Sequence, residues 1–170
     1  MTDAPPTQTA AASTADSADR VFLVVVDSSP ELRQALLFAC RRARHTKGRV
    51  ALLYVMEPGD FQHWLAVKDL MDEERRAEAE ETLQKAATLV KEWFGAMPVL
   101  YVREGKVREQ LVKLVEEEPS ISVLVLGAST GSEGPGPLVT SLAGKMAGRF
   151  RVPITIVPGN LSDDEIKALA

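Results

Sequence analysis

Five short aliphatic runs recur along this 170-residue chain, each closed by a turn or a helix signal: VFLVVV at 21–26, VALLYVM at 50–56, VLYV at 99–102, ISVLVL at 121–126 and VPITIV at 152–157. Runs this short and apolar on both faces suit strands covered by helices above and below. Helical patterns fill the intervals. The first opens at Ser29 as N-cap, with Pro30 at the first helical position and Glu31 in the first turn. It carries Leu32, Ala35, Leu36, Ala39 and Ala43 on one face and stops near Gly48. The second spans 65–94 with a stripe of Leu70, Ala77, Leu83, Ala87, Val90 and Phe94. The third spans 107–118, and the fourth runs from about Thr140 to Arg149. Strands alternating with helices predict an α/β fold: a five-stranded parallel sheet, helices on both faces and right-handed crossovers. Pro153 fits at an edge strand or at a strand's first residue.

The flanks read differently. Residues 1–20 hold no large apolar side chain after Met1 and predict a disordered leader. The folded domain is expected over 21–158, followed by a tail at 159–170. There, Ser162 with Glu165 three residues on makes a capping box for a short helix.

Composition excludes several function classes. A net charge of −4 and a hydrophobic share of 45% give a real core and no basic field for nucleic acid or acidic lipid. The single Cys40 has no partner for an intramolecular disulfide and reads as a small core residue. No apolar run approaches a bilayer span, and the N-terminus does not read as a secretory signal, so a soluble, cytoplasmic protein is expected. His45 and His63 lack metal-ligand spacing, and no metal site is expected. Neither a Gly-x4-Gly-Lys-[Ser/Thr] loop nor a Gly-x-Ser-x-Gly elbow is present.

Ligand crevices of open α/β sheets lie beyond the strands' carboxyl ends. Asp27 ends the first strand; it either faces such a crevice or caps the next helix. The segment ISVLVLGASTGSEGPGPLVTS at 121–141 reads as strand, small-residue loop and helix start at Thr140–Ser141. Such a connection would cradle an anion with backbone N–H groups, unless it is an ordinary surface turn. Lys145 either reaches the same place as a point charge or is a solvated helix lysine.

Four stretches then resemble the universal stress protein family. They are VFLVVVD followed by Ser, ALLYVMEP, REGKVREQLVKLVEEEPSISVLVLG and SLAGKMAGRFRVPITIVP. The resemblance implies a Rossmann-like sheet of order 3-2-1-4-5. It also implies a site for ATP or a related adenine nucleotide, with or without Mg²⁺. Asp27 would lie near polar groups of the nucleoside, with Ser28 and Ser29 beside it, and Val55 would present its backbone to the adenine. Nucleotide-binding members carry Gly-x2-Gly-x9-Gly-[Ser/Thr] after the fourth strand. Here Gly127 and Ser141 match, whereas Thr130 and Thr140 replace glycines and Gly131 stands one place late. The expected function is therefore a nucleotide-binding stress-response module that acts by binding. The alternative is a dimeric interaction protein that has lost tight nucleotide binding; an enzyme is the least favoured class, with no catalytic residue in view. Either way a homodimer is expected through the last strand, Val152 to Val157, whose apolar edge invites pairing.

Overall fold

The computed structural model describes residues 20–58 and 65–170, without the side chains of 65–68. The leader, Gly59 and His63 lie outside those residues. Five parallel strands, β1 (Val21–Val25), β2 (Arg49–Met56), β3 (Val99–Glu104), β4 (Ile121–Ala128) and β5 (Ile154–Pro158), form one sheet in the order β3-β2-β1-β4-β5. This is the expected fold and strand order. Because β1 and β4 are neighbours, with Val24 opposite Val125, the chain reverses its winding direction between them. Their carboxyl tips therefore stand side by side.

Alternation along each strand sends successive side chains to opposite faces. Phe22, Val24, Val50 and Leu52 pack beneath α1 (Leu32–His45) and α2 (Leu65–Phe94). Val21, Leu23, Ala51 and Leu53 pack beneath α3 (Val107–Glu117) and α4 (Pro137–Ala143). Leu23, Leu52 and Leu53 are fully buried, each stabilising the fold by about 1.5–3 kcal/mol relative to exposure. The double-sided covering explains why these strands read as unbroken apolar runs.

Helix boundaries depart from the sequence pattern where local geometry intervenes. Leu32 donates to the Ser29 carbonyl across a turn of Pro30 and Glu31, so α1 proper opens at Leu32, and Ser29 makes no side-chain cap. At its far end the left-handed residue is Lys47 (φ 55°). Gly48 is required for a different reason: a Cβ there would collide with the Arg20 carbonyl. In α2 the buried positions are Ala79, Leu83, Ala86, Ala87 and Val90, while Leu70 and Ala77 stay exposed. The expected stripe fails over the first half of α2, where the side chains of residues 69–78 are exposed or half-buried. The fourth helix starts at Pro137, three residues before Thr140, and the remaining stretch to Arg149 is a short 3-10 turn, Ala147–Arg149. Pro153 precedes β5, and its carbonyl accepts from Leu124.

A fifth helix, α5 (Asp163–Leu169), folds back over α1. Its capping box is complete, Ser162 and Glu165 each accepting from the other's backbone N–H. Fully buried Ile166 packs against Leu37. The Arg33 guanidinium grips both Asp163 carboxylate oxygens at 2.6 and 2.9 Å and lies 5.3 Å from the Trp93 ring centroid.

Candidate functional site

β1 breaks from the sheet one residue past its end: Val26 still donates to the Leu53 carbonyl at 2.8 Å, and Asp27 is exposed. The Asp27 carboxylate accepts from the Ser29 N–H at 2.9 Å, a local Asx turn that fixes the start of the β1–α1 connection. The turn lies ahead of α1, whose N-cap position is Glu31, so Asp27 does not cap that helix. One oxygen orders the connection, while the residue lines a cleft of about 160 Å³ with Val25, Ser29, Glu31, Leu126, Gly127 and Ser129. Burial, aided by the charges of Glu78 and Asp27, pushes the nearby Tyr54 hydroxyl above its usual pKa.

Gly127 forms the cleft floor, and its lack of a side chain serves packing. A Cβ there would lie 2.6 Å from the Glu31 carbonyl oxygen, so glycine lets the start of α1 press onto the end of β4. Not Gly127 or Gly131 but Gly134 (φ 90°) and Gly136 (φ 103°) are the left-handed glycines of this segment. Those two shape the 129–137 loop, which bends back so that Pro135, Gly136 and Pro137 roof the cleft.

The remaining predicted residues divide. Asp27, Ser29 and Gly127 meet at the cleft, and Ser28 joins Asp27 and Ser29 in an adjoining groove of about 320 Å³ between α1 and α2. Val55 lies at the tip of β2, outside the cleft lining. The Met56 carbonyl accepts from Gly105 on the β3 side, and the Leu53 carbonyl faces β1. Strand alternation therefore turns the Val55 N–H and C=O toward the space β1 has left. Thr130 and Gly131 are exposed on the loop and do not line the cleft. Thr140 and Ser141 are not at a helix start, because Gly136 and Pro137 begin α4 before them. The Thr140 hydroxyl donates to the Gly136 carbonyl at 2.8 Å, and the Ser141 hydroxyl accepts from Arg108 at 3.1 Å. They line, with Lys145, a second and wider groove beside α3.

Ser129 and Arg108 stand in no motif, and Glu31 reads only as a first-turn helix residue, yet Ser129 and Glu31 line the cleft and Arg108 the wider groove. The Ser129 Oγ accepts from the Gly131 N–H at 3.2 Å and holds the loop's first turn. Glu57, in the stretch resembling the family's second strand, accepts from the Val107 N–H and ties β2 to the start of α3. Among the described residues no three His, Cys, Asp or Glu side chains cluster to hold a metal. No helix there is long and apolar enough to cross a membrane.

Arranged in this way, the tips of β1 and β4 meet at a cleft at the reversal point of a parallel sheet, with the tip of β2 outside its lining, and the sequence profile of the universal stress protein family matches residues 20–158. The chain belongs to the universal stress protein family. No curated protein sequence matches it, but solved members share its fold. The Lactobacillus plantarum universal stress protein UspA superimposes with a TM-score of 0.67 at 18% identity, over 82% of this chain and 98% of that one. An Archaeoglobus fulgidus universal stress protein in complex with dAMP gives 0.54 at 20% identity, over 81% and 97%. A universal stress protein in complex with cAMP gives 0.57 at 16% identity, over 83% and 98%. The match to the family profile ends where β5 ends, so α5 lies beyond it.

Proposed function

We propose that this member of the universal stress protein family is a cytoplasmic module that binds an adenine nucleotide and signals by binding rather than catalysis. The observation that carries the reading is the convergence of Asp27, Ser29 and Gly127 on one cleft, beside the outward-turned backbone of Val55. An N–H and C=O on one strand edge complement the donor and acceptor on the Watson–Crick edge of adenine. Asp27 offers a free acceptor oxygen to ribose hydroxyls. The structures of relatives with dAMP and cAMP support an adenine ligand. At about 160 Å³ the cleft is smaller than the roughly 300 Å³ at which small-molecule pockets begin. Entry of the nucleoside thus requires the 129–137 loop to lift. Asp27 and Glu31 are the carboxylates that line the cleft; with no group of three metal-binding side chains among the described residues, Mg²⁺ would be held mainly through the nucleotide's phosphates.

A second reading has its own observation. The Pro135–Pro137 roof and the threonines at 130 and 140 favour an interaction protein without tight nucleotide binding. In both readings the chain pairs with a second copy through β5, whose outer edge has no strand beside it among the described residues.

Thermal unfolding separates the two. ATP, ADP, AMP or cAMP at a hundred times its Kd stabilises by about 2.7 kcal/mol, a rise of about 5–10 °C for a domain of this size. Asp27→Ala should remove the rise. No rise with any of these nucleotides at millimolar concentration leaves the interaction protein, and mass spectrometry of what heat releases from the purified protein identifies any retained ligand.

A further inference from the structure

The wide groove between α3 and α4 has a volume of about 860 Å³ and carries three cationic side chains, Arg108, Lys145 and Arg149, against one carboxylate, Glu133. This local excess of positive charge stands on a chain of net charge −4. Among the described residues none of the three cations belongs to an ion pair. Arg108 is held in place by its bond to Ser141, leaving the rest of its fork open. The groove adjoins the cleft, since Gly136 and Pro137 line both.

The loop that would cradle phosphates in the family's usual manner has committed several of its amides internally. Ser129 N–H donates to the Pro135 carbonyl, Gly131 N–H to Ser129 Oγ, Gly134 N–H to the Gly131 carbonyl and Thr140 N–H to the Gly136 carbonyl. Pro137 has no N–H to give. We infer that phosphate recognition in this chain has passed from loop amides to side chains. The α3–α4 groove takes the polyphosphate portion of the ligand, with Arg108, Lys145 and Arg149 supplying the charge. The ligand class is then a nucleoside di- or triphosphate in preference to a monophosphate. The placement of the base rests on the nucleotide reading above; the groove's affinity for polyphosphate does not.

The test is calorimetric titration of the full chain in magnesium-free, low-salt buffer with inorganic tripolyphosphate, adenosine, AMP, ADP and ATP. The wild type is compared with a triple variant, Arg108→Gln, Lys145→Gln and Arg149→Gln. A charge-matched control carries Lys91→Gln, Lys113→Gln and Lys167→Gln, all exposed and outside the groove. ATP should bind on the order of tenfold more tightly than AMP, given three solvent-facing charge contacts, and added salt should erode the difference. The triple variant should bring ATP down to the affinity of AMP and abolish tripolyphosphate binding, while the control keeps both. Equal affinities for ATP and AMP, or a preference that survives in the triple variant, overturns the inference. Tripolyphosphate binding that the triple variant loses, without any adenosine binding, upholds the groove and removes the nucleotide reading. Adenosine binding without tripolyphosphate binding does the reverse.

Discussion

Gly127→Ala should destabilise the protein through one identifiable collision. The added methyl would sit 2.6 Å from the Glu31 carbonyl oxygen and 2.9 Å from both its carbonyl carbon and Cβ. Two of these are backbone atoms at the start of α1, so no rotamer change clears them. The helix start must retreat by roughly 0.8 Å to restore ordinary contact, at a cost of about 1–3 kcal/mol. The backbone at 127 is not left-handed, so no conformational strain adds to this figure. Urea unfolding with a melting curve reads it, with Tm falling about 2–4 °C per kcal/mol at this size. Gly131→Ala is the internal contrast. Its methyl would approach nothing nearer than Ser129 Oγ at 3.5 Å, and stability should hold or rise by up to about 1 kcal/mol through loss of unfolded-state freedom. Gly159→Ala completes the set, since its methyl would run into the Glu31 Cγ. Glu31→Ala removes that atom and should rescue most of the Gly159→Ala loss, but it leaves the backbone that opposes Gly127→Ala. A Gly127→Ala protein as stable as wild type, or one rescued by Glu31→Ala, would refute the packing role assigned to this glycine.

Three further outcomes can be checked directly. Burial pushes the Cys40 thiol up to about 12, so iodoacetamide at pH 8 should label it only as fast as the protein opens; rapid, stoichiometric labelling of the folded protein would contradict its place in the core. Arg33 holds the Asp163 carboxyl below its ordinary value of 3.8. The pair's contribution is thus present above that value and lost as pH falls through the lowered folded-state pKa. Hydrogen exchange in α5 should quicken at acid pH, and Asp163→Asn should exchange faster at neutral pH with a flattened acid limb; an unchanged profile would break the link. Ile156, 40% exposed on β5, should when changed to Lys convert a dimer to monomers in sedimentation velocity, whereas a monomeric wild type would remove the edge-pairing proposal.

The fold was legible because its central strands β1, β2 and β4 are largely buried on both faces, leaving apolar runs that helix-forming patterns could not absorb. The boundaries of α2 followed from the same contrast, as did the starts of β3 and β4, whose ends run two residues past the apolar runs, to Glu104 and Ala128. What stayed hidden depended on distances across the chain. Nothing in GASTG distinguishes a glycine needed for phosphate approach from one needed because Glu31 presses on it; that contact joins residues 96 positions apart. Thr140 and Ser141 read as a helix start because Pro137-Leu138-Val139 lacks a polar first turn, although Pro at the first helical position is itself a start signal. Arg108 lay in an ordinary amphipathic pattern. Its meeting with Ser141 required knowing that α3 and α4 share a face.

The floor and the roof of the cleft differ in what they tolerate. At the floor, Gly127 and Gly159 both close on Glu31, so three segments of chain meet with no spare space. In the roof, a methyl at Gly131 would reach the hydroxyl of Ser129 at ordinary distance, whereas Gly134 and Gly136 have open space around them but are held to glycine by φ of 90° and 103°. Exchange is therefore open at Gly131 and at the exposed Thr130, Ser132 and Glu133 without disturbing the sheet beneath, while Gly134 and Gly136 keep the bend of the roof. Ligand preference within such a scaffold is free to drift by rewriting the lid, while the platform below stays under strict steric veto.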